Sequence, residues 1–307
     1  MACARVRLGE WVRAARPAAQ SNIAPSLIFG QVLALPAPTR FSWIIFAWLL
    51  LFALLDQLYI VFANDVADVE TDRHNRTATP FSGGSRVLVD GHLSGRALAI
   101  AAIVCAALLV SVAGVLASAY SRVLAPIFAG LAVLLLWAYS YRPLRLSYRG
   151  GGELLQMVGL GVVLPTFGYY AQAGTLGGFP WPLLLATLPL QLAGAIATAL
   201  PDQPSDAHSA KRTLAVLLGQ GPAQRLALVL QGIGIAAFIA VSPFGANALT
   251  TWAVIAGPAM FAVAQCVSPR ATPGRRSMLV RVFLILSANA AMTLGISLAI
   301  LRQLEVW

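Results

Sequence analysis

Four of the chain's eleven acidic residues lie between positions 64 and 72, at the end of a long apolar run. Asn64, Asp65, Asp68 and Asp72, which we call the first acidic cluster, fall at spacings that a helix would bring to one side within roughly two turns. Like charges so arranged repel, and burial near a membrane makes ionisation costlier still. The pattern therefore predicts a cation between these side chains, and oxygen ligands without His or Cys favour Mg²⁺.

A second pair of carboxylates follows another apolar stretch. Asp202 and Asp206, which we call the second acidic cluster, stand one helical turn apart, with Lys211, the only lysine of the chain, and Arg212 close behind. Mg²⁺ in proteins usually combines a few carboxylates with substrate phosphates. We therefore expect the two clusters to face each other and to bind Mg²⁺ and a diphosphate.

Nine apolar stretches must position these residues. They are long enough to cross the hydrocarbon core of a membrane, roughly 30 Å thick, although the first is short. They cover residues 22–36, 42–63, 95–119, 122–139, 153–173, 181–200, 223–242, 247–267 and 280–301. With 59% hydrophobic and 10% charged residues, the chain is predicted to be an all-α polytopic membrane protein in contact with the lipid bilayer. We expect one domain over 1–307, built from two pseudo-repeated halves at about 16–150 and 151–307, without a cleaved signal peptide.

The net charge of +10 indicates topology and not a nucleic-acid partner. Eighteen of the 21 basic residues lie before the first stretch or in the segments 64–96, 140–152, 201–225 and 268–281, which share one side of the membrane. The positive-inside rule makes this side cytoplasmic, together with the N-terminus and both acidic clusters. The preference for Ala and Arg favours a bacterial cell membrane, and the three unspaced cysteines predict no disulfide framework or thiolate metal site.

A diphosphate beside an apolar bundle predicts an isoprenyl diphosphate whose tail lies in the interior. Mg²⁺ would neutralise the charge on the leaving diphosphate as the allylic C–O bond ionises. Cationic side chains that would share this charge are Lys211, Arg212 and the loop arginines Arg76, Arg142 and Arg145. Aromatic faces would stabilise the allylic cation, and the candidates are Tyr139, Tyr141, Tyr169 and Tyr170, for which an interfacial belt is the alternative.

At these residues the chain resembles the UbiA superfamily of intramembrane prenyltransferases, which have nine transmembrane helices and two aspartate-rich cytoplasmic motifs. The first motif, N-D-x-x-D-x-x-x-D, is matched in full by the first acidic cluster. The second, D-x-x-x-D followed by G-K-x-T-L, is matched by Asp202, Asp206, Lys211, Thr213 and Leu214 and departs at Ala210. Arg16-Pro17 and the segment 139–153, which ends in Glu153, also fit. The resemblance implies a UbiA-type bundle with catalytic Asp65, Asp68, Asp72, Asp202, Asp206 and Lys211, and a prenyl or acceptor pocket with Asn22, Tyr139, Tyr141, Glu153 and Tyr169.

Within this superfamily, the segment 80–91, PFSGGSRVLVDG, resembles the 1,4-dihydroxy-2-naphthoate prenyltransferases of menaquinone synthesis. The resemblance implies that Gly83 and Gly84 let backbone N–H groups approach a phosphate, with Ser82 and Arg86 as further phosphate ligands. The chain departs from this branch before the second acidic cluster, where N-N-x-R-D is replaced by a run ending in Ala-Leu-Pro-Asp at 199–202.

We therefore predict Mg²⁺-dependent transfer of an isoprenyl group to a hydrophobic, aromatic acceptor of the naphthoate or quinone-precursor kind, with Asp72 or Glu153 assisting deprotonation. One alternative is a terpene cyclase of the same fold, in which the substrate's own double bond captures the cation. Another is a transporter or cation channel, which would need ionisable residues near the membrane midplane. Asp56 is the only acidic residue predicted well inside a span, and we expect it deep in the same cavity. Prenyl chain length, regiochemistry and oligomeric state do not follow from the sequence.

Overall fold

The computed structural model describes residues 8–17, 20–37, 40–76, 79, 83–241, 243–245 and 247–304. All regular elements in these ranges are helices, which confirms the all-α class. They are α1 (Leu8–Ala15), α2 (Gln20–Leu33), α3 (Trp43–Ala67), α4 (Val69–His74), α5 (Gly95–Ala119), α6 (Ala125–Ser140), α7 (Gly152–Val158), α8 (Leu164–Ala173), α9 (Leu184–Ala199), α10 (Gln203–His208), α11 (Leu214–Leu218), α12 (Gln220–Val241), α13 (Ala248–Val267) and α14 (Arg276–Leu304). A π-helical turn at Gly159–Val163 joins α7 to α8, and short 3₁₀ turns occur at Leu146–Tyr148 and Trp181–Leu183.

In the described part of the chain, seven helical segments are long and apolar enough to cross a membrane. They are α3, α5, the continuous segment Gly152–Ala173, the segment Trp181–Ala199, α12, α13 and α14. Two further apolar helices, Ile23–Leu33 within α2 and α6, are shorter than a full span requires. The integral membrane class is therefore confirmed, whereas the count of nine spans is not.

Local signals in the sequence explain where the long helices begin and end. Ser42 caps α3 by accepting a hydrogen bond from the backbone N–H of Ile45, and Ser94 caps α5 in the same way. Gly174 ends α8 in a left-handed conformation at φ 76°, which glycine adopts without strain. The apolar side chains between these caps supply the buried faces of the bundle.

Close helix crossings build the wall around a central cavity. A Cβ at Gly30 of α2 would lie 2.0 Å from the carbonyl oxygen of Pro165, so only glycine permits α2 and α8 to approach this closely. The cavity has a volume of about 780 Å³ and is bounded by α2, α3, α6, the segment Gly152–Ala173, α9 and α14. At one end, which we call the acidic end, it is lined by residues of both acidic clusters.

Candidate functional site

The first acidic cluster lies where α3 stops. Asn64, Asp68 and Asp72 line the cavity. Asp68 leaves the helical conformation at φ −105°, and the chain resumes a helical path in α4. Asp68 therefore lies at the break and Asp72 beyond it, and both line the acidic end of the cavity.

The second acidic cluster is joined directly to the first. Asp202 precedes α10, Asp206 lies on it, and both line the cavity. The Asn75 side-chain amide donates to Asp202 Oδ1 at 2.8 Å. Lys211 Nζ donates to Asp68 Oδ2 at 2.7 Å, across 143 positions of sequence, and lies 3.9 Å from Asp206 Oδ1. The two clusters therefore form a single site.

Burial and mutual repulsion shift the titration of this site. Burial raises the pKa of Asp72 from its ordinary value of 3.8 to about 7, and the Asp65 and Asp68 carboxylates add to the rise. Burial also raises the pKa of Asp206 to about 7, against an opposing effect of Lys211. Burial lowers the pKa of Lys211, but attraction to Asp68 and the other acidic groups outweighs it and holds the pKa well above its usual range. The carboxylates thus need further positive charge to ionise together.

The oxygen donors at the acidic end fit Mg²⁺ when they act as pairs. Among the described residues, no three His, Cys, Asp or Glu side chains are arranged to hold one ion by themselves. Mg²⁺ commonly takes one or two carboxylates and completes its shell with water and substrate phosphate. The candidates are Asp68 and Asp72 on one side and Asp202 and Asp206 on the other, with Asn64 beside the first pair.

Several site residues were missed by the sequence analysis. The Tyr148 hydroxyl donates to Asp68 Oδ1 at 3.0 Å and contacts the Thr71 hydroxyl at 2.8 Å, so it holds Asp68 in place. Arg16 and Asn75 also line the cavity. For Asn75 the signal was its position three residues after the first acidic cluster, whereas nothing local predicts that Tyr148 reaches Asp68.

The loop after α4 supports the first acidic cluster from behind. Asp65 accepts hydrogen bonds from the backbone N–H and the hydroxyl of Ser85, and its Oδ1 lies 3.9 Å from Arg16 Nη1. It does not line the cavity, unlike its neighbours in the cluster. Gly84 lies against Asp72, because a Cβ at Gly84 would be 2.0 Å from Asp72 Oδ2.

Two residues of the expected prenyl or acceptor pocket line the cavity. Tyr139, on the last turn of α6, presents its ring beside the acidic end. Glu153 is 4% exposed, and its Oε1 accepts a hydrogen bond from the backbone N–H of Leu214 at 2.7 Å. The other oxygen, Oε2, is buried and has no hydrogen-bond partner in the protein. Glu153 thus anchors the segment after Lys211 at the wall of the cavity.

The structure places five predicted phosphate-binding arginines outside the cavity: Arg76, Arg86, Arg142, Arg145 and Arg212. The Arg86 guanidinium instead donates to the carbonyl oxygens of Asp72 and Asn75 at the end of α4. Arg142 and Arg145 line a separate surface recess, and Arg145 lies 3.6 Å over the Tyr148 ring. Their direction is set by loop packing, which sequence spacing does not reveal.

Two predicted pocket tyrosines also lie elsewhere. Tyr141 lines the same surface recess and donates to the Ala63 carbonyl, while Tyr169 packs edge-on against Phe179 near the opposite end of the bundle. The Asn22 side chain and Ser82 lie outside the described residues. Asp56 lines the cavity interior, as expected.

Comparison with known proteins identifies the family. Residues 23–299 match the UbiA prenyltransferase family, and no curated protein sequence matches the chain. A UbiA homolog from Aeropyrum pernix K1, solved in its apo form, is 22% identical with a TM-score of 0.65, over 90% of this chain and 98% of that chain. A UbiA homolog from Archaeoglobus fulgidus bound to DMAPP and Mg²⁺ is 16% identical with a TM-score of 0.66, over 92% and 99% of the two chains. The same homolog bound to GPP and Mg²⁺ is 16% identical with a TM-score of 0.65 over the same shares.

The structural likeness shows a shared fold, and the family match over most of the sequence confirms the predicted enzyme class, a prenyltransferase. The transporter alternative receives no support from this match. This chain belongs to the UbiA prenyltransferase family.

Proposed function

We propose that the protein binds Mg²⁺ and a prenyl diphosphate at the acidic end and transfers the prenyl group to a hydrophobic acceptor in the membrane. The observation that carries the proposal is the junction of the two acidic clusters above a cavity of about 780 Å³. A molecule with a diphosphate head and an apolar tail matches both parts of this arrangement. The Archaeoglobus homolog bound to DMAPP or GPP together with Mg²⁺ supports it.

The acidic side chains would hold Mg²⁺ in two pairs, Asp68 with Asp72 and Asp202 with Asp206. When bound, Mg²⁺ neutralises the charge that develops on the leaving diphosphate. Lys211, whose side chain is 11% exposed, is positioned to donate to a phosphate oxygen as the allylic C–O bond breaks and the electron pair leaves with the diphosphate. Arg16 adds a second positive charge at the cavity wall.

The residues below the acidic end suit the carbon chemistry. The Tyr139 ring lines the cavity next to the site of ionisation, where its face would stabilise the allylic cation. Capture by an acceptor carbon forms the new C–C bond and leaves a proton to be removed. Of the two bases left open by the sequence, Glu153 is favoured, because it lines the cavity outside the two carboxylate pairs that would hold Mg²⁺, whereas Asp72 belongs to one of them.

We further propose an aromatic acceptor of the quinone-precursor kind, on the resemblance of residues 80–91. A terpene cyclase is the second candidate, because the cavity wall at Ala199 carries a methyl group where the naphthoate branch has an asparagine. We also propose that the acidic end faces the cytoplasm of a bacterial cell, since most arginines lie on that side.

The test uses purified protein, Mg²⁺ and prenyl diphosphates from C10 to C20, first without acceptor and then with dihydroxynaphthoate and other phenols. Diphosphate release and mass spectrometry of the organic extract are the readouts. Asp68→Asn and Asp202→Asn should abolish turnover, whereas Glu70→Gln, which alters an exposed ion pair with Arg73 outside the cavity, should not. A cyclised product without acceptor establishes the cyclase, and a prenylated phenol establishes the transferase. Intact substrate in both assays contradicts the proposal.

A further inference from the structure

Three phenylalanines, which we call the aromatic floor, pack together beyond the last residues of α3, α6 and α8 that line the cavity. Phe52, Phe128 and Phe167 come from α3, α6 and α8. The Phe167 ring meets Phe52 edge-on at 4.9 Å and stacks on Phe128 at 5.0 Å, and all three are buried. Among the described residues of these helices, the last to line the cavity before the floor are Asp56, Ala132 and Pro165.

Asp56 is a carboxyl group at the edge of the aromatic floor, one helical turn from Phe52. It is 2% exposed, and its Oδ1 is buried without a hydrogen-bond partner in the protein. With 1.5 Å of rise per residue, Asp56 lies about 12 Å deeper along α3 than Asn64 and about 18 Å deeper than Asp68. An acidic side chain at such a position is costly, and it indicates a functional role.

The head-group chemistry does not account for Asp56. Ionisation and capture take place beside the diphosphate, and a small acceptor that reacts there does not extend about 12 Å further along α3. A prenyl tail does extend in this direction, because the side chains between the acidic end and Asp56 on the cavity face of α3 include the apolar Ile60 and Val61. Amide and hydroxyl side chains such as Gln57, Gln156 and Gln191 also line the cavity wall, but among the described residues Asp56 is the only carboxyl group on this wall below Glu153 and the two acidic clusters.

We propose that Asp56 sets the upper limit on the length of the prenyl tail; the inference rests on the proposed function. A tail that stops before Asp56 buries its carbons against Ile60, Val61 and the opposite wall. A longer tail must press its terminal methyl groups against the carboxyl and supplies no hydrogen-bond donor to it. Burial of an unpaired polar group then opposes the gain from burying more hydrocarbon.

The test separates polarity from size. Leucine has the same number of side-chain heavy atoms and the same branching as aspartate, so Asp56→Leu removes the polar oxygens while filling the space. Asp56→Asn keeps a polar group of the same shape and is the matched control. Dissociation constants for geranyl, farnesyl and geranylgeranyl diphosphate are measured for each protein from the Mg²⁺-dependent rise in Tm. Comparison of each variant with wild type cancels the partitioning of the longer substrates into detergent.

We expect Asp56→Leu to raise the affinity for the C20 substrate relative to the C10 substrate by about tenfold or more, since a buried polar group no longer opposes the longer tail. Asp56→Asn should keep the wild-type ratio within about threefold, because its amide also requires partners. Asp56→Ala, a smaller variant, should shift the ratio in the same direction as leucine and serves if Asp56→Leu does not fold.

Three results would overturn the proposal. An unchanged C20 to C10 ratio in Asp56→Leu and Asp56→Ala means that the aromatic floor alone limits the tail. If Asp56→Leu binds all three substrates more weakly by the same factor, while Asp56→Asn binds them as wild type does, then Asp56 makes a hydrogen bond that every substrate needs. Wild-type protein that binds none of the three diphosphates with Mg²⁺ refutes the proposed function itself, and this inference with it. The first two results leave the proposed function standing.

Discussion

Replacing Lys211 with methionine removes a positive charge from the junction of the two acidic clusters. Lys211 Nζ lies 2.7 Å from Asp68 Oδ2 and 3.9 Å from Asp206 Oδ1, and its side chain is 11% exposed. Methionine has a chain of similar length and keeps the packing against neighbouring side chains. The variant therefore tests the charge and leaves most of the shape in place.

The expected loss of activity follows from the role of Lys211 as a donor to the leaving diphosphate. Removing one preorganised donor to a developing negative charge costs about 2.7–4 kcal/mol, or roughly 10²–10³ in kcat. Stability should also fall, because breaking a buried ion pair costs about 3–5 kcal/mol. Tyr148 and Asn64 continue to donate hydrogen bonds to Asp68, so we expect the lower end of that range.

The double variant Asp68→Asn with Lys211→Met separates stability from chemistry. Removing both charges leaves neither member of the Asp68–Lys211 pair as an unpaired ion, while Asp206 still loses the cation 3.9 Å away, so the double variant should regain part of the lost Tm and none of the lost turnover. Mg²⁺-dependent diphosphate release and thermal unfolding are measured on the same preparations. Arg225→Met, an exposed cation at the start of α12 away from the cavity, is the control and should stay within about twofold of wild type. Lys211→Met with near wild-type turnover, or a double variant that regains activity together with stability, refutes the reasoning.

Three further predictions concern the same site. Gly84→Ala should reduce turnover at least tenfold, because its Cβ would lie 2.0 Å from Asp72 Oδ2. The control Gly91→Ala, also at positive φ but with no atom within 4 Å of its Cβ, should lose only about 1 kcal/mol of stability. Equal losses of turnover in a diphosphate-release assay would show that Gly84 does not position Asp72. Tyr148→Phe removes the hydroxyl that donates to the first acidic cluster and should weaken Mg²⁺ binding by about tenfold to a hundredfold in calorimetry, as expected for one hydrogen bond to a charged group. Burial raises the pKa of Asp72 and Asp206 from 3.8 to about 7, so between these values the folded metal-free protein holds protons that the unfolded chain has lost. Its stability should therefore fall as pH rises from about 4 to about 7, and Mg²⁺ binding should release protons and tighten across neutral pH; a Tm and an Mg²⁺ affinity that are both flat from pH 5 to 8 would contradict these shifts.

Where the spacing was local, residues predicted to act together lie together on the cavity wall. Asp202 and Asp206 both line the cavity, because four residues make one helical turn. Asp65 is an exception. Asn64 and Asp68 are one turn apart and both line the cavity, whereas Asp65 is one residue further round α3 than Asn64 and so points to another face. There it accepts hydrogen bonds from Ser85, away from the cavity.

The long arginine side chains show a second limit of sequence reasoning. Spacing could not tell which of them face the diphosphate site, since a guanidinium several bonds from its Cα is directed by the loop that packs around it. Arg86 turns back to the end of α4 and Arg145 lies over Tyr148, whereas Arg16 lines the cavity.

By itself, the sequence determined the all-α membrane class, most of the apolar helices, both acidic clusters and the enzyme family, because hydrophobic length, helical period and motif spacing are properties of neighbouring residues. Tertiary structure alone decided that Lys211 reaches Asp68, that Tyr148 holds the same carboxylate, and that Asp56 lines the same cavity next to the aromatic floor. Each of these contacts joins helices or loops far apart in the chain. Their distances are set by how side chains fill the space between helices, which no local pattern specifies.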